Sequence, residues 1–239
     1  MIWFPARDLL APNEIVPFLI TTNVVLYATA LMIAPQAVNL SLDPMQFLAP
    51  ATQVLFKLGA SGTLPVLSED RWWTLITANY LHGSLLHLLF NLSALNSIGK
   101  IVVDVFGPSR FFLIFTLGGI AAMAISSLAG IQLTLGASGS ICALIGAMAY
   151  DDWRANKGNL KKRLLSVGVW VVFIGAIGIF LPNVNNWAHA TGFAGGFVLG
   201  FCFWPRVTGD EDWLFRAAAA SSLLITIAAL LYGLLFSSG

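Results

Sequence analysis

The sequence predicts an all-α fold, a polytopic bundle of transmembrane helices, and three observations support this class. Of the 239 residues, 58% are hydrophobic and only 10% are charged, and the mean hydropathy is +0.83. A water-soluble fold of this length cannot bury so much apolar surface. Seven apolar stretches each approach the roughly 20 residues that a spanning helix needs. Glycine, proline or charged residues separate most of these stretches.

In chain order, we expect the spanning helices at positions 16–34, 85–103, 111–128, 135–149, 164–181, 188–204 and 214–236. The start, MIWFPARDLLAPNE, lacks the basic region and small-residue cleavage site of a secretory signal. We therefore expect the first stretch to remain as a helix. The predicted organisation is an N-terminal segment (1–15), a six-helix membrane domain (16–206) and one additional C-terminal transmembrane helix within 207–239.

The distribution of lysine and arginine predicts the orientation, because these residues accumulate on cytoplasmic loops. With the N-terminus inside, ten of the twelve fall in inner segments, and only Lys57 and Arg71 fall outside. Seven spans then place the C-terminus outside. The same orientation makes positions 38–82 one long external loop, which we expect to lie against the outer membrane face because it contains several Pro, Phe and Leu residues.

Charge and polar composition restrict the function. A formal net charge of +1 argues against nucleic-acid binding, which needs a basic face. No Asp or Glu lies deep in a predicted span, so a Ser/His/Asp triad would lack its carboxylate, whereas a Ser/His pair would not. Cys142 and Cys202 lie in apolar stretches and predict no disulfide framework.

All three histidines, His82, His87 and His189, lie in or at the ends of predicted spans, where ionisable groups are costly and usually functional. His87 and Asn91 are four residues apart and so share a helix face. Both could donate hydrogen bonds to one oxyanion, or they could simply bond neighbouring helices. His82 lies five residues before His87, and we expect it to anchor the external loop.

The pentapeptide LGASG occurs twice, around Ser61 and around Ser138. We expect Ser61 to lie in a turn of the water-exposed external loop, without a helix dipole or a fixed general base. Ser138 begins a predicted helix, where free N–H groups favour negative charge. Gly136 and Gly139 beside it allow close helix packing. A serine that merely packs or caps a helix remains the alternative.

His189 begins the sixth stretch, in AHATGFAGGFVLG. Gly192, Gly196 and Gly200 recur at every fourth position and form a flat helix face that another helix can approach closely. If that partner is the glycine-rich fourth stretch, His189 comes within reach of Ser138. Helix packing alone would explain the glycines, but not the histidine on the same side.

Three motifs together resemble the rhomboid family of intramembrane serine proteases. The segment 58–95 resembles the family's external loop and second helix, with its H-x4-H-x3-N signature. GASG at 136–139 is similar to its G-x-S-G motif, and AHATGFAGG resembles its A-H-x-x-G-x-x-x-G motif. The match covers six of the seven predicted helices in order. The seventh resembles the six-plus-one arrangement found in part of the family.

The resemblance implies a catalytic dyad of Ser138 and His189, with His87, Asn91 and the Ser138 amide as the oxyanion hole. It also implies loop anchoring by Arg71 and Trp73. Two positions differ from the family pattern. Thr74 follows Trp73 where the family often has arginine, with Arg71 displaced in front, and Cys142 stands where some members have an aromatic residue.

The implied substrates are single-pass transmembrane proteins, cut near the outer face of the lipid bilayer, with no cofactor or metal. Two other readings stay open on the sequence: an inactive rhomboid-like protein that binds transmembrane clients, and a membrane hydrolase with the three histidines as zinc ligands. A transporter is disfavoured because no charged pathway or broken-helix pair is evident.

Overall fold

A computed structural model describes residues 14–180, 184–204 and 212–236. Within these ranges the chain forms nine α-helices: α1 (Ile15–Ile33), α2 (Thr52–Leu58), α3 (Thr74–Thr77), α4 (Leu85–Phe106), α5 (Pro108–Leu128), α6 (Ser138–Ala155), α7 (Leu160–Phe180), α8 (Asn186–Cys202) and α9 (Trp213–Phe236). The seven long helices coincide with the seven predicted stretches, and the all-α class is confirmed. Most of the N-terminal segment 1–15, including Arg7, lies outside the described residues, as does Arg206.

The helix boundaries follow local chemistry. Gly107 has a φ of +84°, which a side chain would resist, and Pro108 follows as the first residue of α5, where its missing N–H costs no hydrogen bond. Ser84 caps α4 by accepting from the His87 amide (3.2 Å). The turn between α4 and α5 is therefore specified by sequence.

In the described part of the chain, four helices are individually long and apolar enough to cross a membrane: α1, α4, α5 and α9. Neither α6 nor α8 is among them. The last turn of α6 is charged, and α8 has 17 residues. Most of α6 is covered by neighbouring helices, whereas α8 buries one face, with His189 and its glycines, and exposes apolar side chains such as Trp187 and Val198 on the other.

At the centre of the bundle is α6, which packs against α4, α5, α7 and most extensively α8. Almost every side chain from Gly139 to Ala149 is buried. Gly118 of α5 lies so close to Ala143 of α6, and Gly146 of α6 so close to Phe193 of α8, that a Cβ on either glycine would collide with the neighbouring helix. The backbones meet closely here because the residues are small, and α6 is held on several sides.

The external segment between α1 and α4 is structured. It contains α2 and α3, and Ser61 pairs with Thr134 in an isolated antiparallel bridge (Ser61 N to Thr134 O, 2.9 Å). Large apolar side chains such as Leu40, Leu42 and Trp72 are exposed on it. A loop that lies against a membrane face would expose such side chains, and its placement there stays a prediction.

The last helix, α9, packs on α5 and on the external segment through α2 and α3. Trp73 lies edge-on to Tyr232 of α9, with ring centroids 5.4 Å apart. A Cβ on Gly233 would lie 2.9 Å from the Trp73 ring and from the Leu58 carbonyl. This helix therefore supports the external segment from the side.

Candidate active site

Ser138 and His189 are presented by two helix starts. Ser138 is the first residue of α6 and is half-buried, while His189 lies in the first turn of α8 and is 6% exposed. As the first residue of its helix, Ser138 has a backbone N–H without an intrahelical acceptor. The positive end of the α6 dipole also lies at this point. The local structure therefore favours a developing negative charge beside Ser138.

A seam of glycines fixes the register of α6 and α8. The contacting pairs keep a constant offset of 53 positions: Gly139 with Gly192, Ala143 with Gly196, and Ala147 with Gly200. A constant offset means that the two helices run parallel. At the start of the two helices, a Cβ on Gly139 would lie 3.7 Å from Ala188, so the residues next to Ser138 and His189 are in contact.

His87 and Asn91 approach the same level from α4. A Cβ on Gly136 would lie 2.7 Å from both Cε1 and Nε2 of His87, and 3.9 Å from Nδ2 of Asn91. The φ of +118° at Gly136 also favours glycine. The structure thus places the side chains of His87 and Asn91 beside Gly136, two residues before the first residue of α6.

The predicted dyad is not hydrogen-bonded in this structure. Among the described residues, no hydrogen bond joins the Ser138 hydroxyl to His189, and the buried Nδ1 of His189 has no partner. The helices that present the two groups do touch, since Gly139 contacts Ala188. Catalytic hydrogen bonds often tighten only when substrate is bound.

Asn185 is a positioning residue that sequence reasoning missed. Its side-chain oxygen caps α8 by accepting from the Ala188 amide (3.1 Å). Its Nδ2 donates to Ser126 Oγ (2.8 Å) at the end of α5 and to Thr134 Oγ1 (2.9 Å) before α6. This one side chain ties together three elements around the start of α8. Its position just before a predicted helix was the available signal.

Asn79 is a second buried tether that the sequence did not reveal. It accepts a hydrogen bond from Ser140 Oγ (3.0 Å), and its Nδ2 donates to the Leu75 carbonyl (2.8 Å). Its neighbour Ala78 accepts from the Gly136 amide (2.8 Å). The external segment is thereby joined to the first turn of α6.

The predicted loop anchors occupy connected positions. Arg71 donates to the Phe56 carbonyl (2.9 Å) at the end of α2, and its guanidinium lies over the rings of Phe56 (4.5 Å) and Trp73 (4.9 Å). It also pairs with Glu69 at 3.7 Å. Thr74 is fully buried, and its hydroxyl donates to the Arg71 carbonyl (2.7 Å). The displaced arginine thus contacts the tryptophan two positions after it.

The expectation of a water-exposed Ser61 is wrong. Ser61 is fully buried, its backbone pairs with Thr134, and Thr74 Oγ1 lies 3.4 Å from its hydroxyl. The sequence interpretation failed because the loop folds back over the segment before α6. Its Gly62 would collide with the Gln132 carbonyl if it had a Cβ, which explains that glycine. The first LGASG therefore packs directly beside the segment that leads into the second.

His82 lies before α4 rather than on it, because the helix begins at Leu85. Its ring is edge-on to that of His87, with centroids 5.0 Å apart, and it is 1% exposed. Burial lowers the pKa of His82 well below its ordinary value of 6.5. Within the described ranges, no group of three or more His, Cys, Asp or Glu residues could hold a metal ion. The arrangement of three zinc-ligating histidines is absent there.

Cys142 lies one turn after Ser138 and is buried. A Cβ on Gly192 would lie 3.2 Å from the Cys142 Cβ. The thiol side chain therefore occupies the α6–α8 seam at the level where some family members carry an aromatic ring. The closeness of the two backbones here leaves little room for a larger side chain.

The fold and this arrangement define a class of membrane protein, and comparison with known proteins agrees. A family model described as the Rhomboid domain matches residues 69–206. The chain therefore belongs to the rhomboid family, which confirms the resemblance. It is an integral membrane protein of the kind whose protease members act on transmembrane substrates within the bilayer.

The similar proteins include one that is named a protease and one that is named inactive. RHOMBOID-like protein 1 of Arabidopsis thaliana is 31% identical over 86% of this chain and 55% of its own length. Rhomboid protease GluP of Bacillus subtilis (strain 168) is 32% identical over 61% of this chain and 29% of its length. Inactive RHOMBOID-like protein 8 of Arabidopsis thaliana is 30% identical over 65% of this chain and 44% of its own length. The chain spans about half, or less, of the length of these relatives.

Proposed function

We propose that this chain is an intramembrane serine endopeptidase that uses Ser138 as nucleophile and His189 as general base. The observation that supports this best is the parallel α6–α8 seam, in which Gly139, next to Ser138, contacts Ala188, next to His189. A packing serine would not need a buried imidazole with an unpaired nitrogen on the helix that contacts its own. The name of GluP as a protease adds support from a relative.

The chemistry follows the general pattern of acyl transfer. Ser138 Oγ attacks the carbonyl carbon of the scissile peptide while the His189 ring takes the hydroxyl proton. The carbonyl oxygen becomes an oxyanion, stabilised by the Ser138 amide, His87 and Asn91. The C–N bond then breaks as His189 protonates the leaving amine. Water attacks the acyl-serine with the same base and releases the second fragment.

The substrates we propose are single-pass transmembrane proteins, cut near the outer membrane face. Ser138 starts a helix that the charge distribution predicts to begin on the outer side. We expect the contacts of Arg71 with Phe56, of Trp73 with Tyr232 and of His82 with His87 to anchor the external segment near this end. Close backbone approach of α6 and α8 is permitted by Gly139, Gly192 and Gly196, whereas Gly136 leaves room for the His87 ring.

The test is a comparison of membrane-anchored fragments released by the wild-type protein and by Ser138→Ala in the same membranes. A protease releases specific fragments only with the wild-type serine. An inactive client-binding protein would give identical fragment sets for the two forms, while still retaining transmembrane clients during purification. That result would favour the function suggested by the inactive relative.

A further inference from the structure

At the opposite end of α6 from Ser138, the described residues line an open cavity of about 240 Å³. Its lining residues are cationic or aromatic: Tyr150, Trp153, Arg154, Lys157, Arg163 and Phe201. Arg154 lies about 24 Å along the helix from Ser138. The cavity is therefore separate from the proposed active site by nearly the thickness of the bilayer core.

Two arginines in the cavity wall are fixed by stacking. The guanidinium of Arg154 lies 3.8 Å from the centre of the Trp204 ring, and that of Arg163 lies 3.8 Å from the centre of the Trp153 ring. Such stacking orients the planar group and leaves its charge in place. With Lys157, three formal positive charges face one small space.

Among the described residues, no acidic side chain lines the cavity. Asp152 accepts a hydrogen bond from Trp170 Nε1 (3.3 Å), and Asp151 lies on α6 about one turn before Arg154. Neither is among the six lining residues. The described lining therefore carries three cationic side chains and no carboxylate, although Asp151 lies close enough to Arg154 to interact with its charge.

The surroundings fit a lipid better than a free anion. The lining residue Phe201 is 66% exposed, and Leu164, which follows the lining residue Arg163 on α7, is 58% exposed. Tyr150 packs edge-on against Phe201 and Trp204. Aromatic rings and cations together are typical of the headgroup level of a membrane. Basic pockets between helices on the cytoplasmic side bind anionic headgroups.

We propose that this cavity binds the phosphate of an anionic membrane lipid, from the leaflet that the charge distribution predicts to be cytoplasmic. Arg154, Lys157 and Arg163 contact the phosphate, with acyl chains along Phe201 and Leu164. The proposal is independent of the chemistry at Ser138. It assigns the charged α6–α7 connection a specific ligand in addition to its effect on membrane orientation.

The experiment uses native mass spectrometry of the full chain in a neutral detergent. The protein is titrated with dihexanoyl phosphatidylglycerol, with dihexanoyl phosphatidylcholine and with inorganic phosphate. The key variant is Arg154→Gln/Arg163→Gln. Its matched control is Lys161→Gln/Lys162→Gln, which removes the same charge from exposed positions on α7 that do not line the cavity.

We expect one tightly retained phosphatidylglycerol per chain, little phosphatidylcholine and no retained phosphate. The arginine double variant should bind phosphatidylglycerol about 30-fold more weakly, as expected for two lost charges at a membrane surface. The lysine control should bind as the wild type does. Equal loss in both double variants would show general surface attraction and overturn the proposal, as would unchanged binding in the arginine variant.

Two further measurements distinguish a lipid from a soluble ligand and provide an alternative if the glutamine variant misfolds. Retention or competition by inorganic phosphate at similar concentrations would indicate a soluble ligand and contradict the lipid assignment. If the glutamine variant does not elute as a folded protein, Arg154→Lys/Arg163→Lys retains the charge but loses the planar stacking. This variant should bind several-fold more weakly, and wild-type affinity would overturn the role of the stacked guanidinium groups.

Discussion

The side-chain amide of Asn91 lies near the proposed oxyanion site and uses one of its two N–H donors within α4. Its Nδ2 carries two hydrogens, and one bonds the His87 carbonyl of the preceding turn (3.0 Å). The side chain is 5% exposed, so the second hydrogen faces the protein interior near Gly136. This geometry orients the amide before substrate arrives, which is what electrostatic stabilisation of an oxyanion requires.

Replacement of Asn91 by alanine should lower kcat about ten- to a thousandfold while KM changes little, because the hydrogen bond forms mainly in the transition state. Turnover of a fluorogenic transmembrane substrate in detergent measures this effect. The thermal unfolding midpoint should remain close to that of the wild type. Normal turnover in a protein of reduced stability would instead assign Asn91 to helix packing.

Asn185 allows two roles of one side chain to be separated. The acceptor oxygen caps α8, whereas the two amide hydrogens reach Ser126 and Thr134. Asn185→Asp retains the cap and loses both donors, while Asn185→Ala loses all three bonds. If the donors position the first turn of α8, both variants should lower kcat about 10- to 100-fold.

Measurement of kcat, KM and the unfolding midpoint for these two variants decides between positioning and capping. We expect Asn185→Asp to unfold close to the wild-type temperature and still turn over slowly. Wild-type kcat in Asn185→Asp, with a defect only in Asn185→Ala, would limit this residue to the helix cap.

At the scale of elements, the α6–α8 seam is the feature on which the site depends. Gly196 and Gly195 are adjacent on α8 but differ in surroundings. A Cβ on Gly196 would collide with the Ala143 carbonyl, whereas a Cβ on Gly195 would meet nothing within 4 Å. These two glycines therefore form a matched pair for testing close packing.

Gly196→Ala should destabilise the protein by roughly 1–3 kcal/mol, because the backbones must separate to admit the methyl group. Gly195→Ala should leave stability unchanged or slightly raised, since alanine favours helix. Chemical unfolding in mixed micelles measures both. Cleavage activity should fall only in Gly196→Ala, and equal effects of the two substitutions would show that the seam does not control the site.

At the scale of the whole molecule, the long helices were predictable because each is a long apolar run between turn signals. The bounds of α4, α5 and α9 differ from the expectations by only a few residues. The external segment was predictable only in outline. Its helices α2 and α3 have seven and four residues, too short for periodicity to reveal.

The residues that sequence reasoning misplaced depend on distant partners. Ser61 is buried because Thr134, far along the chain, pairs with its backbone. The tethering role of Asn185 depends on hydroxyls from two other elements. His189 and Ser138 were proposed together because glycine spacing predicts close helix packing, a local signal with a long-range consequence.

The orientation of the whole bundle remains a prediction: N-terminus inside and C-terminus outside. It is based on the ten-to-two division of lysine and arginine between the predicted inner and outer segments. Epitope tags at each terminus, tested for protease access in sealed cells, measure it. Only the C-terminal tag should be removed. Protection of both tags would mean that the number of spanning helices is even.

The most direct test of the proposed catalytic dyad is labelling by a fluorophosphonate serine probe, read alongside proteolysis. Ser138→Ala and His189→Ala should each abolish labelling and cleavage, because the probe requires a serine activated by a base. Ser61→Ala, in the other LGASG copy, should change neither by more than about a few-fold. Labelling that persists in Ser138→Ala and disappears in Ser61→Ala would contradict the assignment.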